Sequence, residues 1–215
     1  IAASRLAGSP RPLRLCYNGL ILRMQGEQLK GDRQLRQAGI ELIGASSPEA
    51  DAEVVLVAAA ALARAGITQL SIDLNLPGIV SALLASEVLD GDVLQKLLAA
   101  VAHKDISTIR GISFAYRDTL ISLLQSAGPA DAALAAMLRL DLPEIAARQM
   151  RDLQEVIRIL KSSGKNLTLT IDAAESRGFA YHSGISFSMF VPGAAQEVGR
   201  GGRYRIDGSK PELDM

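Results

Sequence analysis

The chain has few of the side chains that build disulfides, metal centres or aromatic clusters. Its 215 residues include one cysteine, two histidines, no tryptophan and only 4% aromatic residues. A single cysteine, Cys16, excludes an internal disulfide framework, and with only His103 and His182 beside it we expect no structural zinc site. The composition therefore fits a protein of the reducing cytoplasm, and we expect the protein to carry no cofactor.

An excess of one charge and a long apolar run are also missing. Lys and Arg together number 23, as do Asp and Glu, so the sequence provides no overall basic field for non-specific nucleic-acid binding. The longest apolar stretch, residues 54–66, is too short and too rich in alanine to span a bilayer. We therefore expect neither nucleic acid nor a membrane as a partner.

What the chain does contain is enough apolar sequence, 48% of its residues, to bury a sizeable core. It begins with Ile1 rather than methionine and ends at Met215 after a polar segment. We expect one core domain over residues 1–215, with both ends of the natural protein lying outside it.

The first third of the chain predicts a strand hairpin, a helix and a third strand. Residues 13–24 and 36–44 are rich in strand formers and flank a polar connector, which indicates an antiparallel hairpin with a long loop. Ser46 or Ser47 begins a helix that runs from Pro48 to Ala65 and ends at Gly66. Residues 69–75 alternate apolar and polar side chains and form the third strand.

The remainder predicts a helical block followed by three strands. Residues 77–163 have a helical pattern broken by Gly, Pro and Asp, and they form an insertion between two parts of one sheet. Residues 166–172 and 184–193 alternate again, and residues 195–204 follow as a hairpin partner. The fold class is therefore α+β, with a mixed, mainly antiparallel sheet and helices against it.

The densest glycine and arginine cluster is "GRGGRY", residues 199–204. A phosphate-binding loop needs a helix directly after the glycines, and no helical pattern follows here. The alternative is that the glycines let two backbones approach or form a bulge, while the arginines are solvated. Composition alone favours this second interpretation.

Two further clusters leave alternatives open. His182 follows Tyr181 between two predicted strands, where it is either an ordinary turn residue or, if a partner positions it, a catalytic base. Gln37 and Glu41 lie four residues apart on one strand, so their side chains share a face. Either that face is exposed, or the two polar groups hold a ligand or each other.

Taken in order, these segments resemble the catalytic domain of class II histidyl-tRNA synthetases. They resemble more closely a non-synthetase relative, the regulatory subunits of ATP phosphoribosyltransferase. "RPLRLCYNGLILRMQG" looks like the motif 2 strand, "RQAGIELIG" like its return strand, and "RGFAYHSGISFSMFV" and "GRGGRY" like the two histidine-specific signatures. The resemblance implies an antiparallel sheet of six or seven strands flanked by helices, usually in a homodimer.

The resemblance also implies a histidine-binding pocket. In the family, residues at the positions of Gln37 and Glu41 hold the amino group or imidazole of histidine, and Tyr204 lines the same pocket. Arg23 would contact the carboxylate or an adenylate phosphate, and Arg177 holds the catalytic cationic position of the synthetases. The histidine-binding set implied in this way is Arg23, Gln37, Glu41, Arg177, Tyr181, His182 and Tyr204.

Departures from the synthetase pattern select among the relatives. Motif 2 of a working synthetase carries Arg-x-Glu, whereas Arg23 is followed here by Met24 and Gln25. The second signature has Ala180 in place of an acid, and Arg200 replaces a small residue before "GGRY". Weakened ATP contacts beside a partly kept amino-acid pocket favour a non-catalytic regulatory subunit. It would assemble, as a homodimer within a hetero-oligomer, with the catalytic subunit of ATP phosphoribosyltransferase in the first step of histidine biosynthesis and its feedback by histidine.

Two alternatives remain open at this point. One is a divergent or truncated histidyl-tRNA synthetase, an ATP-dependent ligase that uses Arg23 and Arg177 on the adenylate. The other is a histidine-binding sensor that acts on a different partner.

Overall fold

The structure is a computed structural model that describes residues 5–6, 8–22, 34–175, 182–194 and 197–205. The chain divides into two compact units, one containing the described residues up to Ser46 and the other running from Ser47 to Arg205. Among the described helices, none combines the length and the apolar character needed to cross a membrane.

The first unit contains the predicted hairpin. Strand β1 (Leu13–Leu22) pairs antiparallel with strand β2 (Gln34–Ile43) along their full length, with Leu13 opposite Ile43 and Leu22 opposite Gln34. Side chains alternate across such a ladder, so every second residue of each strand shares one face.

The second unit opens with helix α1 (Pro48–Arg64), as predicted from the serine, proline and acidic residues at its start. The Ser47 hydroxyl accepts a hydrogen bond from the Ala50 amide, and Glu49 and Asp51 lie in the first turn, at the positive end of the helix dipole. The helix ends at Arg64 with Ala65 as its C-cap, and Gly66 follows with a φ of 91°, which a residue with a side chain rarely adopts.

The predicted helical block is present, with one short strand that was not predicted. Asp90 and Asp105 cap two of its helices through their carboxylates. Strand β4 (Gly128–Pro129) interrupts the helices at a Gly-Pro pair that is too short to give a strand pattern in the sequence. The helices are α2 (Ile79–Leu83), α3 (Gly91–Ala102), α4 (Ile106–Arg110), α5 (Arg117–Gln125), α6 (Ala130–Met137) and α7 (Glu144–Ser162).

A five-stranded sheet forms the centre of the second unit. It contains β3 (Ser71–Asn75), β5 (Thr168–Ile171), β6 (His182–Phe190) and β7 (Gly199–Tyr204), with β4 at one edge and β7 at the other, in the order β4-β5-β3-β6-β7. Only β3 and β5 run parallel, so the prediction of a mixed, mainly antiparallel sheet is confirmed.

The expectation of one sheet of six or seven strands does not match the described residues. Their strands form the five-stranded sheet and the separate β1–β2 hairpin. Alternation in a sequence identifies strands, but it carries no information about which strand hydrogen-bonds to which.

The two faces of the five-stranded sheet differ in chemistry. One face is apolar and belongs to the same hydrophobic core as helices α1 and α7; its members include Ile72, Leu74, Ile185, Phe187 and Met189. The opposite face, here called the polar face, presents Asp73, Asn75, Thr170, Ser186 and Ser188. The prediction of helices packed against the sheet is therefore confirmed, and the polar face becomes the candidate site.

Candidate functional site

Buried polar residues concentrate on the polar face. Among the described residues, the buried polar side chains are Asn75, His182, Ser186 and Ser188, at 1%, 7%, 0% and 7% exposure. Asn75 lies opposite Ser186 in the β3–β6 ladder. Because buried polar groups are stable only when they find partners, a cluster of them on one face is typical of a binding site.

The structure brings together two residues of the predicted histidine-binding set. His182 begins β6 and lies opposite Tyr204, the last residue of β7. The β6–β7 register shifts between His182 and Ser186, an irregularity that turns side chains relative to a regular ladder. His182 is therefore a buried strand residue rather than an ordinary turn residue.

Gly202 makes the space that His182 occupies. A Cβ atom at residue 202 would lie 2.5 Å from Cδ2 and 2.8 Å from Nε2 of the His182 ring, and 2.8 Å from Cβ of Ser186. No side chain fits there unless the imidazole moves. The absence of a Cβ at residue 202 thus determines where the His182 ring lies.

We expect Gly202→Ala to lower the free energy of unfolding by about 1–3 kcal/mol, because the new methyl group overpacks against His182 and Ser186. Urea denaturation followed by circular dichroism measures this loss. Gly199→Ala is the matched control in the same strand, since a Cβ there meets only Met189, at 3.9 Å. Equal stability of the two variants would contradict this account of Gly202.

Gly201 plays the corresponding role on the apolar face. A Cβ at residue 201 would lie 2.6 Å from Cζ of Phe187, so the ring packs directly on the glycine backbone. The run "GRGGRY" is strand β7, and its two central glycines accommodate a neighbouring ring on each face. This supports the close-approach interpretation of the glycines over a phosphate-binding loop.

Arg200, the residue that departs from the synthetase signature, is held by an acid. It lies opposite Ser188 in the ladder and forms an ion pair with Glu197, which also accepts a 3.0 Å hydrogen bond from the Ser188 hydroxyl. The Arg200 side chain is 48% exposed. The guanidinium therefore lies at the rim of the polar face with its charge balanced by Glu197.

Arg203 is not solvated, which corrects the expectation for the arginines of this run. Its Nε and Nη2 donate to the two carboxylate oxygens of Asp51 at 3.1 and 2.5 Å, and the two side chains are only 13% and 11% exposed. A Cβ at Gly184 would lie 3.1 Å from Cβ of Arg203, so Gly184 leaves room for this side chain. The pair joins β7 to the first turn of α1.

Burial raises the pKa of the Asp51 carboxyl above its ordinary value, and Arg203 partly offsets that rise. Burial thus disfavours the charged form of the Asp51 carboxyl by more than Arg203 stabilises it. No sequence signal distinguishes Arg203 from Arg200, because their difference depends on which face of β7 meets helix α1.

Gln37 and Glu41 lie on one face of the β1–β2 hairpin, as predicted. They oppose Gly19 and Leu15, and the Gln37 amide donates a 2.7 Å hydrogen bond to the Tyr17 hydroxyl. Gln37 is exposed and Glu41 is half-buried. The face is therefore neither buried nor fully open, and its role in histidine binding stays a prediction.

Three residues of the predicted set, Arg23, Arg177 and Tyr181, lie outside the described residues.

Sequence reasoning missed an acidic cleft on the polar face. Asp73 and Asp172 lie in or directly after β3 and β5, and the cleft of about 220 Å³ that they line extends to Ser188 and Arg200. A signal was present in "SIDLN" and "TLTID", which place one aspartate within β3 and one directly after β5.

Comparisons with known proteins agree over nearly the whole chain. A family model described as histidyl-tRNA synthetase matches residues 1–210. An ATP phosphoribosyltransferase regulatory subunit of Paramagnetospirillum magneticum is 45% identical over 211 residues, which cover 98% of this chain and 56% of that protein. The subunit of the same name from Rhodospirillum centenum is 43% identical over 208 residues, covering 97% and 54%. The chain thus spans about half the length of these curated relatives.

Solved structures support the same fold. An ATP phosphoribosyltransferase regulatory subunit/histidyl-tRNA synthetase from Bacillus halodurans superimposes with a TM-score of 0.81 at 25% identity, over 94% of this chain and 54% of that one. A chain of an ATP phosphoribosyl transferase (HisG:HisZ) complex from Thermotoga maritima gives a TM-score of 0.73 at 18% identity, over 99% and 74%. At that identity, the second similarity concerns the fold alone.

Proposed function

Because the chain belongs to the histidyl-tRNA synthetase family, among its ATP phosphoribosyltransferase regulatory subunits, we propose that it serves as the non-catalytic regulatory subunit of that transferase in the cytoplasm. In this function it activates a short catalytic subunit in the first step of histidine biosynthesis and takes part in feedback by histidine. Residues 1–215 would form the class II synthetase-like core, with residues 77–163 as an insertion.

One observation carries the proposal. The 45% identity to a regulatory subunit extends over 98% of the chain, so it includes both the hairpin and the five-stranded sheet. The sequence around motif 2 points the same way, because Arg23 is followed by Met24 and Gln25 rather than by the glutamate of the synthetases. The charge that would hold the adenine amine in the synthetases is therefore missing from this position.

The polar face supports an amino-acid pocket within this function. His182 and Tyr204 lie side by side at one end of β6 and β7, and Gly202 leaves space for the imidazole. Feedback then requires two states of the assembly that bind histidine with different affinity, because a ligand shifts an equilibrium only by its differential affinity. We propose that a homodimer within a hetero-oligomer with the catalytic subunit adopts these two states.

The decisive experiment measures the partner's activity. The full-length protein is mixed with the short catalytic subunit of the same organism, and formation of phosphoribosyl-ATP is followed with and without it. We expect activity only in the mixture, and no histidine-dependent exchange of pyrophosphate into ATP by the protein alone. Pyrophosphate exchange would instead establish the alternative, a divergent histidyl-tRNA synthetase.

Histidine binding is tested separately by calorimetry. We propose, from the resemblance, that Gln37, Glu41, His182 and Tyr204 contribute to histidine binding, as do Arg23, Arg177 and Tyr181. Glu41→Ala should then weaken histidine binding about tenfold or more, since a carboxylate partner of a cationic group is lost. Arg36→Ala is the matched control, because Arg36 lies on the opposite face of β2. Equal affinity of wild type and Glu41→Ala would remove Glu41 from the pocket.

A further inference from the structure

Lys104 has a backbone conformation that lysine rarely adopts. Its φ is 54°, and it is the one non-glycine residue with a positive φ among those that the structure describes. It follows His103, the C-cap of α3, and so occupies the position after a helix at which glycine is favoured. After α1 and α7 the corresponding residues are Gly66 and Gly164, with φ of 91° and 70°. A lysine at this position after α3 therefore has a steric cost that glycine avoids.

The turn around Lys104 is closed by two hydrogen bonds. The Lys104 amide donates to the Val101 carbonyl at 3.0 Å, and the Asp105 amide donates to the Ala100 carbonyl at 2.8 Å. These bonds form a Schellman motif, which ends a helix at a left-handed residue. Asp105 then caps α4 by accepting from the Thr108 amide, so this one turn joins α3 to α4. The backbone thus requires a left-handed residue here, but it does not require a lysine.

The side chain of Lys104 reaches the five-stranded sheet. Its ammonium forms an ion pair with Oδ2 of Asp172, which follows β5 and lies 68 positions further along the chain. The lysine side chain is 43% exposed and the aspartate side chain 13%. The Asp172 amide donates to the Leu74 carbonyl at 3.0 Å, and its own carbonyl accepts a 3.3 Å hydrogen bond from Nδ2 of Asn75. Lys104 therefore contacts a residue that the sheet holds in place beside the polar face.

We propose that Lys104 and Asp172 form a clasp, poised to open, that couples the α3–α4 turn to the polar face. A half-exposed ion pair contributes little to stability, and a left-handed backbone at a non-glycine residue costs an amount of similar size. The closed clasp and an open, unstrained turn therefore lie close in free energy. Leu97 and Ile109 are fully buried and hold α3 and α4 in the core, so opening is confined to residues 103–105.

Opening of the clasp changes both the turn and the sheet. The turn loses the hydrogen bonds of its two closing amides, and the Asp172 carboxylate at the rim of the polar face loses its cation. Asn75 senses the change because its amide donates to Asp172. Histidine feedback needs a two-state element of this kind. That use of the clasp rests on the proposed function, whereas the clasp itself rests on the contacts of Lys104.

The test measures amide hydrogen exchange of residues 100–108 in the full-length protein by mass spectrometry. Salt screens a half-exposed ion pair, so raising NaCl from about 20 mM to about 500 mM should speed exchange about twofold to fivefold. Lys104→Gln keeps the Cβ and removes the charge, so it should exchange at the high-salt rate of the wild type at both concentrations. Lys104→Gly also removes the strain and should regain protection without regaining salt dependence. A salt dependence that persists in Lys104→Gln would overturn the clasp.

Lys161→Gln is the matched control. Lys161 pairs with Asp131 and is 42% exposed, close to the 43% of Lys104, but it lies within helix α7. Its substitution should leave the exchange of residues 100–108 and its salt dependence unchanged. A change as large as that in Lys104→Gln would show a general effect of lost charge and would also overturn the clasp.

The coupling to the polar face has a readout of its own. Lys104→Gln should shift the side-chain amide signals of Asn75 in nuclear magnetic resonance spectra, and Lys161→Gln should not. Unshifted signals in Lys104→Gln would refute the coupling. Both measurements are made without histidine and without the catalytic subunit, so their failure is distinct from a failure of the proposed function, which the activity assay detects.

Discussion

Asp51→Ala is expected to lower the free energy of unfolding by about 3–5 kcal/mol, because it leaves the buried Arg203 guanidinium without its carboxylate. The side chain of Arg203 is 13% exposed, so water does not replace the lost partner. Urea denaturation of wild type and variant at neutral pH measures the loss.

Arg203→Ala should be less damaging than Asp51→Ala, with a loss of about 1–3 kcal/mol. A buried carboxyl can take up a proton and become neutral, and burial already raises the pKa of Asp51. A guanidinium remains charged at every accessible pH. If the two variants lost only a hydrogen bond, they would be equally destabilised. A larger loss for Asp51→Ala therefore shows the added cost of leaving a charge buried without a partner.

The pKa of Asp51 also determines how the stability of Arg203→Ala depends on pH. Removal of Arg203 raises the folded pKa of Asp51 further, because the guanidinium lowers it. A carboxyl with a raised folded pKa contributes stability that is present below its unfolded pKa and is lost as pH rises through the folded pKa. The deficit of Arg203→Ala relative to wild type should thus shrink as the pH falls from about 7 towards about 4.

Arg158→Ala is the control for the ion pair. Its guanidinium pairs with Glu155 on the surface of α7, where it is 65% exposed. Little change in the free energy of unfolding is expected, since an exposed ion pair is only slightly more stable than its two separately hydrated charges. Two results would contradict this account. One is a stability deficit of Arg203→Ala that grows as the pH falls, and the other is a stability loss in Arg158→Ala as large as that in Asp51→Ala.

Phe187→Ala is expected to cost about 3–5 kcal/mol of stability, because it removes a ring that is 5% exposed and leaves a cavity beside Gly201. Phe190→Ala provides the control on the same strand, as its ring is 42% exposed and belongs to the other face. Thermal and urea unfolding should show a large loss for the first variant and a small one for the second.

A double substitution tests the contact itself. Gly201→Ala should destabilise the wild type through the overlap with the Phe187 ring, and it should be tolerated better in a Phe187→Leu background. Additive effects of the two substitutions would show that the glycine and the ring do not share the space.

The strands and helices were largely predictable because local patterns determine them. Ser47, Pro48 and the acids that follow began α1 where expected, and alternation revealed β3, β5 and β6. The parallel pairing of β3 with β5 was not predictable, since it depends on packing across the whole helical block. The two-residue strand β4 carries too few residues for any periodicity.

The candidate site was likewise predictable only in part. The same-face placement of Gln37 and Glu41 followed from spacing alone. In contrast, Arg200 and Arg203 look alike in the sequence, yet one is half-exposed and the other is buried with Asp51. Their difference depends on which face of β7 meets helix α1, and the partners of Asp73 likewise include Thr170, 97 residues away along the chain.

That separation has a consequence for how the chain assembles during synthesis. Strand β3 leaves the ribosome long before β5. Its apolar residues Ile72 and Leu74 are therefore not yet paired with β5 while the helical block is translated. Closing a loop of this length is entropically unfavourable, and the cost falls once the intervening helices have packed and shortened the distance to be spanned. We therefore expect the helices to fold ahead of the sheet, with β3 as the segment most exposed to aggregation in the nascent protein.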